Sequence, residues 1–320
     1  MAGRDVVSDT LPSTLILGKS NSYGLTRDAE ILQAAIAEAG GQAGYATIKQ
    51  RSWWQRLLRI KRAKRIVHLE RAFPGWFGAA SDETFLVPNQ ERFPRRQIGR
   101  LRHVDRVLAK TRHGEAVFSA LGVPTSYLGF SSPDRLLPDV PKDFGRFFHL
   151  AGGSTLKGTE DVLDLWRKHP EWPELVLVQK ADNAPGGVPA NVRLMSGYLD
   201  DEALKHLQNA CGVHLCPSRS EGWGHHLLEG LSVGALVVTT DAPPMNEHVD
   251  PTCGVLVPYG RSEPRHLGTN FYVDPTGLEA AIERIMAMPD AEKRALGLAA
   301  RKRYEAIDAG FRQRVGDLLV

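Results

Sequence analysis

The stretch SRSEGWGHHLLEG, residues 218–230, gathers several chemistry-bearing side chains in one place. Glu221 and Glu229 stand eight positions apart, with Gly222, Trp223 and Gly224 after the first and two adjacent histidines, His225 and His226, after those. Carboxylates accept hydrogen bonds from pairs of sugar hydroxyls. A helix start offers free N–H groups and the positive end of a dipole to a phosphate. If the span were helical throughout, eight residues would rise about 12 Å, roughly the reach from a hexose to the ribose of a nucleotide sugar. Glu221 and Glu229 are then expected at opposite ends of an elongated ligand, with the phosphates between them. Gly222 and Gly224 remove side chains where a ligand needs close backbone approach. His225 is placed to touch the donor sugar, while His226 is expected to pack or face solvent. Two glutamates at this spacing are common by themselves, so the weight falls on the Gly-Trp-Gly turn at a strand-to-helix junction.

HLAGGSTLKG, residues 149–158, adds a strand, a glycine-rich turn carrying Ser154, and Lys157 just before a helix. The G-x-x-x-x-G-K-[ST] pattern of a Walker loop is absent. A lysine there can still neutralise a leaving diphosphate as a point charge. In the first half, GKSNSYGLTRD contains Gly24, whose backbone is placed to meet the diphosphate from the opposite side. His113 opens a helix after the strand RVLAKT and is a candidate to face the cleft. Glu70 and Glu91 follow strands and are candidates for the acceptor hydroxyl, although a carboxylate at a loop end is more often solvated.

These residues need a scaffold, and the hydrophobic pattern supplies one. Near-continuous apolar runs such as STLILGKS, RIVHLE and TFLVPNQ alternate with helical stretches such as DAEILQAAIAEAG. That alternation predicts parallel sheets covered on both faces. A proline-rich break at 131–145 predicts a hinge. A second series follows it, from RFFHLAGG through GVHLCPS and ALVVTT to GVLVP. The expected architecture is α/β, two doubly wound Rossmann-like domains facing across a cleft, at 1–140 and 141–320, with the last helix packing back on the first domain. TGLEAAIERIMAM is expected to open with a Thr276–Glu279 capping box, and the final helix to break near Gly310. Asp200 and Asp201 read as a helix cap rather than a metal motif, and no metal site is expected.

Composition sets the outer bounds. The chain has 320 residues with 42% hydrophobic content, enough for two cores. No apolar run reaches the length of a membrane span, and the N-terminus has no secretory h-region, so a cytoplasmic location is expected. Cys211, Cys216 and Cys253 have no metal-ligand spacing and read as free thiols. The net charge of +3 is uneven: residues 51–112 hold 16 Lys or Arg against 5 Asp or Glu. That asymmetry points to a polyanionic or membrane partner. RSWWQRLLRIKRAKR reads as a membrane-surface helix or one packed on its own domain. Cations with interleaved aromatics continue through later loops, with Arg95, Arg96, Arg100, Phe73, Trp76, Phe77 and Phe93. That mixture suits phosphates plus an unstacked base. The acceptor expected from it is a hydroxymethylated pyrimidine in DNA, with a membrane lipid or envelope glycan second. No obligate protein partner is inferred.

GGSTLKG, SGYL and PSRSEGWGHHLLEGLSVGALVVTTDAPPMNE, with the two glutamates, resemble the retaining family-4 glycosyltransferases of the GT-B fold. The resemblance is strong over about 145–260 and weak before that. It implies that Glu229 binds the nucleotide ribose, Glu221 sits by the donor sugar and Lys157 contacts the diphosphate. The backbone near Gly197 and Tyr198 would border the base. It further implies transfer of a hexose from a UDP-glucose-like donor with retention, the donor being a co-substrate, with no cofactor or metal. Three positions depart from the family pattern. Ala151 stands where an arginine is common, leaving Arg219, Arg112 or Lys19 as sources of a second cation. His225 and His226 replace small or apolar residues, and APPMNE replaces a Gly-Pro-Glu turn. An epimerase, a phosphorylase or a non-catalytic sugar-nucleotide module shares the fold, but the basic segment and the intact glutamate pair with Lys157 favour a transferase.

Overall fold

A computed structural model describes residues 12–18, 24–197 and 199–320. Lys19 and Tyr198 therefore lie outside the described residues, and Gly24 is the first residue of a helix. The first sheet contains β1 (Thr14–Gly18), β2 (Ala43–Thr47), β3 (Arg65–Glu70), β4 (Glu83–Pro88), β5 (Arg106–Ala109) and β6 (Thr125–Tyr127). Its order is β2-β1-β3-β4-β5-β6, all parallel. Helices α1 (Gly24–Glu38), α2 (Trp53–Leu57) and α3 (Arg112–Ser119) belong to this half. α1 buries Ala29, Leu32, Ala35 and Ile36, the spacing of one helix face.

The second sheet contains β7 (Asp143–Gly152), β8 (Leu175–Gln179), β9 (Val192–Met195), β10 (Cys211–Cys216), β11 (Leu236–Thr240) and β12 (Gly254–Val257). Its order is β12-β11-β10-β7-β8-β9, again all parallel. Helices α4 (Thr159–Lys168), α5 (Asp201–Ala210) and α6 (His225–Ser232) connect these strands. Every residue of β10 and β11 is buried, which explains their unbroken apolar patterns. Asp200 caps α5 by accepting from the Ala203 N–H at 2.7 Å. The three cysteines are buried and free, and burial raises the Cys211 thiol to about 11 and Cys216 to about 12.

Three local expectations are corrected. A hairpin of β13 (Tyr259–Arg265) and β14 (Gly268–Val273) stands where no strand is legible, because its polar residues carry no core-facing alternation. Helix α7 (Pro275–Ala287) is capped by Asp274, which accepts from the Gly277 N–H at 2.9 Å, with Pro275 in the first turn. The Thr276–Glu279 box is not the cap. Helix α8 (Asp290–Leu319) runs through Gly310 without a break. It spans about 45 Å and buries Phe311, Val315 and Leu319 in a cluster with Ile16, Leu32 and Ile36 of the first half. Arg65 donates to the Leu319 carbonyl at 2.7 Å, closing that contact.

Candidate active site

Strands β7 and β10 are neighbours, yet the chain leaves β7 toward β8 and leaves β10 toward β11, on the other side. Such a switch point opens a crevice beyond the carboxyl ends of the strands. The loops at 153–158 and 217–224 emerge there side by side, clasped by the Arg219 N–H to Leu156 carbonyl bond of 2.8 Å. Lys157 Nζ reaches Glu221 Oε1 at 2.6 Å and His226 Nδ1 at 3.1 Å. Because Lys157 donates to Nδ1, the ring proton belongs on Nε2, which bonds Ser218 Oγ at 3.0 Å. Burial, then the Lys157 charge, holds His226 well below its ordinary pKa. The neutral ring orients the ammonium without adding a second charge.

Helix α6 starts one residue after Gly224, whose φ of 98° is a left-handed conformation that glycine adopts without a Cβ clash. Glu221 therefore lies in the RSEGWG loop before the helix, as its glycines lead one to expect, and the rise of a continuous helix does not apply to the two glutamates. Glu229 lies one turn into α6 and is buried. Its Oε1 receives Arg27 Nη1 at 2.5 Å and its Oε2 receives Gln208 Nε2 at 2.8 Å. Arg27 comes from α1, across the cleft.

The first domain closes the site from the opposite side. Gln90 Nε2 donates to the Glu221 carbonyl at 2.9 Å. A Cβ on Gly222 would stand 2.5 Å from the Asn89 side chain, so a larger residue there would force Asn89 aside. Asp28 and Lys110 form a buried pair at 2.5 Å. Burial by itself would raise the Asp28 carboxyl, but Lys110 and His225 outweigh it and hold the group at about 2. His225 bonds Asp28 Oδ1 through Nε2 at 2.9 Å and Ser132 Oγ through Nδ1 at 2.8 Å. Trp223 is buried and donates to Ser132 at 3.3 Å. Both side chains are thus committed to the domain junction instead of an open sugar pocket.

A model described as "Glycosyl transferases group 1" matches residues 187–303, the segment that holds Glu221 and Glu229. The fold is that of the GT-B glycosyltransferases. Its fold matches sucrose-phosphate synthase from Thermosynechococcus elongatus with a TM-score of 0.72 at 16% identity, over 97% of this chain and 98% of that one. Anabaena HepE in complex with UDP and glucose matches with a TM-score of 0.70 at 15% identity, over 96% and 99%. WaaG, a glycosyltransferase involved in lipopolysaccharide biosynthesis, matches at 0.69 and 17%, over 96% and 99%. No curated protein matches the chain by sequence.

The other candidates fall in different places. Glu91 is buried beside Glu221 and has an Oε2 without a hydrogen-bond partner. Burial first, then the Glu221 charge, raises it from 4.5 to about 7. Below pH 4.5 the carboxyl is protonated both folded and unfolded. The stability tied to its protonation is lost as pH rises to about 7, because only the unfolded chain ionises freely there. Glu91→Gln should therefore be more stable than the parent at pH 8, by on the order of 3 kcal/mol, with the gap closing near pH 4.5. Urea unfolding at the two pH values checks this, and an equal gap at both would refute it.

Arg219 pairs with Glu160 and Asp161, each at 3.0 Å, and lies over Tyr272, so its guanidinium is engaged by these three side chains. Arg112 pairs with Glu115 and stacks on Tyr127. His113 is held through its backbone N–H by Glu247 at 2.7 Å, and burial lowers its pKa. Ser154 Oγ accepts from the Leu156 N–H and shapes the Lys157 turn. Gly197 lies in an exposed bend after β9. Glu70 pairs with Arg71. Arg95 and Arg96 are exposed, and Arg100 donates to the Ala72 carbonyl. Trp76 is corrected: it is buried in a core cluster with Leu17 and Ile66, and its Nε1 donates to the Ile48 carbonyl at 3.0 Å. It is not free to fill the gap left by an extruded base.

Sequence reasoning missed Arg27 and Gln208 and undervalued His226. The available signal for Arg27 was its place just beyond the turn after β1, at the cleft end of a parallel strand.

Proposed function

We propose that this chain is a glycosyltransferase that moves a hexose from a nucleoside-diphosphate sugar, UDP-glucose in type, to an acceptor hydroxyl with retention at the anomeric carbon. The observation that carries the reading is the Lys157–Glu221 pair at the β7/β10 switch point, with Glu229 one turn into the next helix. In this reading Glu229 accepts the ribose hydroxyls and Glu221 those of the sugar. Lys157 and the first N–H groups of α6 stabilise charge on the departing diphosphate. The bond from the anomeric carbon to the phosphate oxygen breaks. A bond to the acceptor oxygen forms on the same face, and the acceptor proton passes to the departing phosphate. Glu91 and Gln90 border the sugar end from the acceptor domain.

Arg27 is the cation best placed to supplement Lys157, because it already enters the site from across the cleft. A cavity of about 770 Å³ adjoins Arg27, bounded also by Ser132, Arg135, Asp201 and Tyr304. It suits the nucleoside end, since Asp201 follows closely on Gly197. HepE has been solved with UDP-glucose, which supports the donor class. A hydroxymethylated base in DNA is the less supported acceptor, because Trp76 and Phe93 are both buried.

Incubation with UDP-, GDP- and ADP-sugars, read by NMR for donor consumption and product anomer, tests the reading. A UDP-hexose should be consumed and its anomeric configuration kept. Inversion, or no consumption of any donor, would contradict it.

A further inference from the structure

We propose that α2 docks this chain on an anionic lipid surface, which in the transfer reading above would also present the acceptor. Among the described residues, no helix is long and apolar enough to cross a membrane. α2 nevertheless leaves its apolar side uncovered. Trp53 is 74% exposed, Trp54 46%, Leu57 72% and Leu58 66%, and the helix buries none of its residues. Tryptophan rings and short aliphatic side chains at one level suit the boundary between headgroups and acyl chains.

The charge around α2 has one sign. No acidic residue occurs between Glu38 and Glu70, and eight Lys or Arg do. Arg56, Arg59, Lys61 and Lys64 are exposed; Lys61 is shared with Asp82. Arg51 is excluded from that surface because it is buried and donates to the Gly75 carbonyl at 3.0 Å. Exposed cations interleaved in sequence with exposed apolar side chains complement anionic headgroups over acyl chains. Nucleic acid would use the cations and could stack on the two tryptophans, but it offers nothing to Leu57 and Leu58. A four-residue patch is also small beside the roughly 800 Å² that each partner buries in a stable protein interface.

Position supports the same occupant. The Arg51 bond fastens the start of α2 to the loop that follows β3, at the carboxyl end of the first sheet. That is the end facing the cleft, so a surface touching α2 lies on the acceptor side.

The test is flotation with phosphatidylcholine vesicles and with equal mixtures of phosphatidylcholine and phosphatidylglycerol. The protein should float with the mixed vesicles and not with phosphatidylcholine alone, and its tryptophan emission should shift to the blue. The combined variant Trp53→Ser, Trp54→Ser, Leu57→Ser, Leu58→Ser should lose roughly tenfold or more in vesicle affinity. Its thermal midpoint and UDP affinity should not change, since the four side chains are exposed and outside the donor site. Failure of the parent to bind mixed vesicles, or equal binding by the variant, would overturn the proposal. So would tight duplex DNA binding without vesicle binding, which would make nucleic acid the polyanionic partner. Vesicle binding requires no donor. Docking without any UDP affinity would therefore count against the transfer reading and leave the docking surface standing.

Discussion

Lys157→Ala should lower turnover by about 10²–10³, the cost of losing one preorganised group that stabilises developing charge. Lys157 is firmly aimed. Its ammonium is held between Glu221 Oε1 at 2.6 Å and the neutral His226 ring at 3.1 Å, with Ser218 fixing the far side of that ring. Such a group needs little reorganisation when the phosphate becomes a leaving group. Removing it also strands the mostly buried Glu221 carboxylate, so some stability should be lost. Single-turnover rates at saturating donor separate the effects, with the thermal midpoint measured alongside. Unchanged turnover in a folded variant would show that the departing charge lies elsewhere.

Glu229→Ala should weaken binding of the nucleoside diphosphate by about 2–3 kcal/mol, the upper range for hydrogen bonds to a charged acceptor. Both carboxylate oxygens are already engaged, by Arg27 and Gln208. A carboxylate nonetheless has roughly four acceptor positions, so two ribose hydroxyls can join or displace those partners. The variant also frees Arg27, which can then pair with the diphosphate and recover part of the loss. Arg27→Ala beside Glu229→Ala, and the double variant, would expose that coupling as non-additivity. Calorimetry with UDP reads all three. Equal affinity in the parent and Glu229→Ala would remove the ribose assignment.

The legible parts of this molecule were those written in contiguous sequence. The buried runs of β10 and β11, the glycine turn before α6, the Asp200 cap and the 149–158 turn each announce themselves within a few residues. Partners brought together by the fold were not legible. Arg27 and Glu229 are separated by 202 positions, and Gln90 and Glu221 by 131. Nothing local ties them to each other.

Burial was misjudged where a motif allowed two readings. FPGWFG looks like an aromatic surface loop, but a 3-10 turn at Pro74–Trp76 folds the Trp76 ring inward under Arg62. The tryptophans of α2, which the sequence allowed either to pack on their own domain or to face a membrane surface, are the ones left outside. The β13–β14 hairpin escaped notice because β13 is mostly solvent-facing and β14 is only partly buried. It still reaches the first domain, where Leu267 N–H donates to the Gln90 carbonyl at 3.2 Å.

The most direct test of the donor site is a crystal structure of the protein with UDP bound. The account predicts ribose hydroxyls on Glu229, the diphosphate between Lys157 and the start of α6, and the Arg27–Glu229 contact opened or shared. A nucleotide seated in the first domain, or one bound with Lys157 and Glu221 still paired and its phosphates out of their reach, would contradict it.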